Sequence, residues 1–391
     1  MCRQRGRVGL MAAALVWLMA TGASADVTTE QSASLLIFPK IIADGTRDTI
    51  IQITNTSNSM VHAHCFYVNG APSDPDDPDS PPLWVEIDFD IWLTKQQPTH
   101  WVVSEGRLDD ASDQSCRNFP TPITSCNGAG FDPGRVPPVV PDFTGELKCV
   151  EVDASGAPIG GNHMIGQATI IGLDVCNPDT DTCYLSGGAC TANDDCEDGV
   201  DPEKYNGIGI LATEALDEDG ILCLGGDEPT EECPLGAEFN ACPDTWILNH
   251  FVDGVENPVV GDGSSIETDI TVVPCEQNFE TQDPESVVIQ FQVFDEFESA
   301  FSASTTVTCW ANLNLSDISN VFEAPPFGPL DRTFVQTRLR PSRGTDSGFL
   351  VVAQEHHRTS LGSLSSAAFN VHIEGERPGP DLITIPSEQL Q

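Results

Sequence analysis

Two histidines one residue apart, His62 and His64, are the side chains best placed for metal chemistry in this chain. They fall in an apolar run, Met60–Asn69, that reads as a β-strand. Alternation puts both imidazoles on one face, roughly 6–7 Å apart along the strand, which suits a shared transition metal. Zinc or copper needs one or two further ligands, and His100, Asp88 and Asp90 are the candidates. The competing reading is two surface histidines on the wet face of an outer sheet. Cys65 points the other way, buried or bridged. His356 and His357 are adjacent, so a strand faces them oppositely and they cannot share an ion.

Acidic loops offer a second chemistry. Asp179 and Asp181 alternate ahead of Cys183; Asp194, Asp195 and Asp198 surround Cys196; Asp217 and Asp219 precede Gly220. Calcium takes several oxygen ligands from flexible loops of this kind, so these seven aspartates are the expected calcium ligands. The alternative is solvated loop charge, because no full twelve-residue calcium loop with its closing Glu is present.

The segment 174–198, DVCNPDTDTCYLSGGACTANDDCED, has too little apolar material for a core. Cross-links must hold its shape. Its cysteines (Cys176, Cys183, Cys190, Cys196) are spaced too widely for a zinc knuckle, so disulfides are expected. Four cysteines allow three pairings, and Cys176–Cys190 with Cys183–Cys196 is one of them. Cys116–Cys126 and Cys275–Cys309 are further expected bonds. Thirteen of the 14 cysteines lie beyond the N-terminal leader, an odd number that leaves one thiol free or paired between molecules.

Catalytic patterns are absent. There is no Gly-x-Ser-x-Gly elbow, no HExxH and no phosphate-binding glycine loop, so the chain is expected not to be an enzyme. Trp84, Trp92 and Trp101 are candidates for an exposed aromatic strip facing sugars, or for caps on a sheet edge.

The formal charge is −43 over 391 residues. Such a surface repels nucleic acid and anionic lipid. A protein or carbohydrate at a cell surface is the expected partner. Residues 1–25 read as a signal peptide: Arg3, Arg5 and Arg7, an apolar stretch too short to prefer a membrane span, then Ala23-Ser24-Ala25. The mature chain is expected to have no transmembrane helix and to be secreted, periplasmic or on the extracellular surface.

The elements that must position these groups are strands. Ser34–Ile42 reads as an edge strand, because Pro39 cannot donate to a ladder. Asp48–Asn55, Met60–Asn69 and Trp84–Leu93 follow, the last with Val85, Ile87, Phe89, Ile91 and Leu93 alternating against polar partners. Further strands are spaced along both halves of the chain. The organisation expected is a β-sandwich domain over 26–224 with a Cys/Asp-rich insert at 174–202, an acidic linker over 225–244, and a second sandwich over 245–391.

The strand–TNTSNS–strand unit around residues 48–69 resembles the central hairpin of immunoglobulin-like domains in bacterial surface proteins. VPCEQNF and FQVFDEFESAFSASTTVTCW (Phe291–Trp310) resemble secreted bacterial proteins of unassigned function. The resemblance implies one or two immunoglobulin-like antiparallel β-sandwiches with long disulfide-stapled loops, and no chemistry. The expected function is that of a non-catalytic structural or adhesive protein. The alternatives are a calcium-dependent binding module and a metal-dependent enzyme using His62 and His64. Calcium is the one candidate cofactor.

Overall fold

Short runs of alternating apolar residues, broken by Gly, Pro, Asn and Asp, become short strands because pleated backbone buries one side chain in two. The computed structural model describes residues 27–385 except 75–79, 109–131, 174–175, 178–181, 184–187, 193–195, 197–199, 214–215, 217–219, 227, 262, 282–284, 330–332, 343–346, 360–363 and 378. The first-half strands are β1 (Val27–Thr28), β2 (Leu35–Ala43), β3 (Arg47–Asn55), β4 (Val61–Asn69), β5 (Val85–Leu93), β6 (Pro98–Val102), β7 (Phe143–Val152), β8 (Met164–Leu173), β9 (Cys176–Asn177), β10 (Thr182–Cys183), β11 (Val200–Asn206), β12 (Ile208–Ile210) and β13 (Ile221–Leu224). Then come β14 (Pro243–Phe251), β15 (Ser265–Pro274), β16 (Gln277–Asn278), β17 (Ser286–Asp295), β18 (Ala300–Thr308), β19 (Ala311–Asn314), the short helix α1 (Leu315–Ile318), β20 (Phe334–Pro341), β21 (Phe349–Arg358), β22 (Leu364–Asn370), β23 (His372–Glu376) and β24 (Asp381–Thr384).

Five sheets have three or more strands, in the orders β1-β12-β2-β7-β4-β5, β11-β8-β3-β6, β13-β24-β16, β18-β17-β20-β14-β23 and β19-β15-β21-β22. A ribbon of β9 and β10 stands apart. Among the described strands, pairing is antiparallel except for β16 with β24. The chain is all-β, 58% strand with almost no helix, and its small antiparallel sheets are arranged as a five-bladed β-propeller.

This corrects the expected immunoglobulin-like sandwich. In a sandwich each sheet keeps one wet face. Here β2, β4 and β7 bury both. Leu36, Phe38, Cys65, Tyr67, Leu147 and Cys149 fill one core cluster, while Leu35, Ile37, Phe66, Val68, Val150 and Val152 fill another. That second cluster also holds Trp246, Ile270, Phe291 and Phe349, so it runs across the expected 225–244 linker, which itself contributes Phe239 and Cys242. The Cys65–Cys149 disulfide joins register partners on neighbouring strands of one sheet, whereas an immunoglobulin bond pins two sheets together.

β2 is also not an edge. It lies between β12 and β7, with a register shift between Phe38 and Ile41. The irregularity takes Pro39 out of the ladder, and side chains supply the missing partners. Trp310 Nε1 donates to the Pro39 carbonyl at 2.8 Å. The Tyr205 hydroxyl accepts from Lys40 N at 3.1 Å and donates to Lys40 O at 2.6 Å.

Described disulfides are Cys65–Cys149, Cys176–Cys190, Cys183–Cys196, Cys223–Cys233 and Cys242–Cys275. The expected Cys275–Cys309 bond does not form: Cys275 is taken by Cys242, and Cys309 is a buried thiol. β15, which runs into Cys275, pairs with β19 and β21, while β18, which runs into Cys309, pairs with β17. Cys116, Cys126 and residues 1–25 lie outside the described residues. No helix among the described residues is long and apolar enough to cross a membrane.

Candidate functional site

Register brings one carboxylate to the His62/His64 pair. His64 on β4 lies opposite Asp90 on β5, and His62 lies opposite Trp92. Asp90 Oδ1 is 3.0 Å from His62 Nε2 and 3.1 Å from His64 Nδ1. The His62 ring stacks on Trp92 with centroids 4.7 Å apart, and its Nδ1 is 2.9 Å from the Asp153 carbonyl. Burial alone would raise the Asp90 carboxyl; the two imidazoles outweigh it and hold Asp90 below the usual carboxylate range. Further along the same strand, burial and the neighbouring Asp88 push Glu86 up to about 7.

The Asp153 carbonyl and the Asp90 carboxylate accept hydrogen bonds. These contacts engage both ring nitrogens of His62. Of the other two candidate ligands, His100 is exposed on β6 in a different sheet, opposite Gln52, and Asp88 is exposed on β5, opposite Phe66. Among the described residues, the cluster with metal-ligand spacing is Cys183, Cys190 and Cys196, and all three are in disulfides. A disulfide sulfur is not the thiolate a metal needs. The seven candidate calcium aspartates, Asp179, Asp181, Asp194, Asp195, Asp198, Asp217 and Asp219, lie outside the described residues. The aromatic strip is corrected: Trp84 and Trp101 are buried, and Trp101 Nε1 donates to the Tyr67 hydroxyl at 2.5 Å.

The reading by sequence missed a second cluster, where the two halves of the chain meet. His356 (β21) lies opposite Ser366 (β22), with Nδ1 2.8 Å from Ser366 Oγ. Its Nε2 is 3.2 Å from Asp269 Oδ2 on β15. Asp269 accepts, so Nε2 donates to it. Asn312 and Asn314 on β19 donate to Asp269. Lys40, buried on β2, donates from Nζ to Asn312 Oδ1 at 2.6 Å. Burial lowers the Lys40 amine to about 8. Burial would raise Asp269, but His356 and Lys40 hold it at about 2. Beside this row, Gln354 on β21 donates to Glu203 on β11 at 2.5 Å.

Hydroxyl, imidazole and carboxylate in a row have the order that activates a nucleophile. Three surface hollows of about 350, 270 and 260 Å³ are lined by other residues. Lys40 and Glu203 come from first-half strands, and Asp269, Asn312, Gln354 and His356 from second-half strands. The Lys40–Asn312 and Gln354–Glu203 hydrogen bonds therefore tether the halves. Only the register of β15, β21 and β22 brings these three side chains together, and no local spacing encodes it.

In the hollow of about 270 Å³, Asp253 accepts from the backbone N–H groups of Thr268 and Ser316, both at 2.9 Å. Burial pushes its carboxyl up to about 7.

No protein-family model and no curated protein matches the chain. Among solved structures, it shows a likeness to the naturally occurring empty particles of cowpea mosaic virus (the top component), at 8% identity, covering 94% of this chain and 99% of that one. The TM-score is 0.15, so the likeness carries no argument about fold or function. Five disulfides among the described residues fit a protein that works outside the cytoplasm.

Proposed function

We propose that the protein is a secreted or surface-associated, non-catalytic structural protein that adheres through an open sheet edge. The observation that carries this reading is β18. It is the end strand of its five-stranded sheet, nine residues long, and its sequence AFSASTTVT holds no charge and no proline. Edges that must stay single are blocked by Lys, Pro or a bulge, because unpaired backbone groups recruit another strand. β18 has none of these guards.

Its surroundings favour a partner of one kind. Phe294, at the end of β17, and Phe297, in the turn, are exposed, and Phe294, Phe301, Gln292, Ala300 and Ser302 line the hollow of about 260 Å³. Asp295, Glu296 and Glu298 sit at the hairpin tip. A second copy of a chain with formal charge −43 would be repelled. An extended basic segment of another polypeptide gains backbone hydrogen bonds from the edge and attraction from the tip.

The test is surface plasmon resonance with an immobilised extended peptide alternating Lys and Val, and a Glu/Val peptide as control. Wild type should bind the basic peptide in a salt-sensitive way. A double variant, Ser304→Lys with Thr306→Lys, should bind at least tenfold more weakly. Equal binding by wild type and variant, or none by wild type, overturns the reading.

A further inference from the structure

Strand β7 carries two charged side chains into the core. Glu146 and Lys148 are two residues apart, so they share a face, and both are buried. Lys148 Nζ touches Glu146 Oε2 as an ion pair. The other carboxylate oxygen, Oε1, accepts from Gln277 Nε2 at 2.8 Å. Gln277 is on β16, 131 positions along the chain, and is also buried. Phe279 covers the group, with Lys148 Nζ 5.6 Å from its ring centroid.

Beyond that ion pair Lys148 Nζ and Glu146 Oε2 have no further partner, and Gln277 Oε1 has no hydrogen bond. Buried polar atoms are paired in the great majority of cases, and each exception needs a reason. An amine and a primary carboxamide held on the two oxygens of one buried carboxylate are the reactants and proton carrier of an amide exchange. We propose that Lys148 and Gln277 react to form a covalent side-chain amide, with Glu146 carrying the protons.

The steps balance without any added reagent. The Lys148 ammonium passes one proton to Glu146, leaving a neutral amine. Burial favours this by lowering the amine from its usual range. The Nζ lone pair then forms a bond to Gln277 Cδ. Glu146 returns its proton to Gln277 Nε2, the atom it already contacts, and takes one from Nζ. The Cδ–Nε2 bond breaks, ammonia leaves, and the product is Nζ–H bonded to Cδ=O. Ammonia departs as ammonium when it takes the last proton, and Glu146 is a carboxylate again.

Cys309 is the rival nucleophile. It is buried close enough that its charge would couple to Lys148 and Glu146. Burial and the nearby carboxylates of Glu146 and Glu285 push its thiol up to about 12, which keeps it protonated and a poor attacker. The amide would tie β7 to β16 across the two halves of the chain.

The test is mass spectrometry of the purified, folded protein after reduction and alkylation. A branched peptide joining Lys148 to Gln277 should appear, with trypsin failing at Lys148 and the pair about 17 Da lighter than its two linear peptides. Glu146→Ala should yield the linear peptides. If that variant does not fold, the wild-type branched peptide decides alone. Linear Lys148 and Gln277 peptides from folded wild type overturn the proposal. So does a deficit of about 17 Da that methylamine converts to a gain of about 14 Da on Gln277 over its unreacted mass, because that marks a thioester with Cys309.

Discussion

His250 shows how one residue gives the fold a pH limit. It is buried on β14, donating from Nδ1 to the Phe251 carbonyl at 2.7 Å, with Nε2 2.8 Å from the Thr337 hydroxyl. One nitrogen donates and the other accepts, which defines a neutral ring. Burial lowers its pKa from 6.5 to about 4. Above pH 6.5 the ring is neutral in both folded and unfolded chains. Below it the unfolded chain takes up a proton that the folded one refuses, so this contribution to stability falls as pH drops from about 6.5 to about 4. Urea unfolding at pH 7.0 and pH 4.5 should show it. His250→Gln keeps a donor and an acceptor but cannot charge. Its loss of stability between the two pH values should be about 2 kcal/mol smaller than that of wild type. An identical loss in both proteins would mean that the ring is protonated in place.

At the scale of elements, the irregularity in β2 is held by side chains from elsewhere in the chain. The Tyr205 hydroxyl satisfies both backbone groups of Lys40. Tyr205→Phe keeps the ring and orphans an N–H and a C=O in the core, so a cost of about 1–3 kcal/mol is expected in denaturant unfolding. No measurable cost would show that water replaces the hydroxyl. Cys65–Cys149 spans 84 positions between two strands already paired in register. Replacing both with Ala frees a long loop in the unfolded chain and should lower stability by about 4 kcal/mol. A shift below about 1 kcal/mol would mean that the unfolded chain is compact without the bond.

Element positions were legible in the sequence where one face alternates. Ile51 and Ile53 point to the core on β3, as do Phe89, Ile91 and Leu93 on β5. What covers a strand was not legible. The continuous apolar run in β2 reports burial on both faces, yet Pro39 drew the reading towards an edge, because local sequence does not show a bulge whose partners are Trp310 and Tyr205. The candidate sites divide in the same way. His62 and His64 share a face by alternation alone. Their meeting with Asp90, and the row Asp269–His356–Ser366, depend on register between strands that are distant in the chain.

The whole molecule is governed by its charge. At −43, self-repulsion opposes the compact state, and salt weakens it. Screening length falls from about 30 Å at 0.01 M to about 3 Å at 1 M salt. Melting temperature should therefore rise with sodium chloride, by several degrees between about 10 mM and 500 mM, and then level off. Calcium separates screening from binding. At matched ionic strength, an ion that only screens gives the same melting temperature as sodium. An ion held by folded acidic loops adds RT ln(1 + [L]/Kd), about 2.7 kcal/mol at a hundredfold excess over Kd. Thermal unfolding of the oxidised protein in EDTA, then in calcium and in sodium at equal ionic strength, reads both effects. The expected result is coincident curves for the two salts above the EDTA baseline, because an open adhesive edge needs solubility from its charge and no ordered ion. A further calcium-specific rise would shift the seat of binding from β18 to the acidic loops.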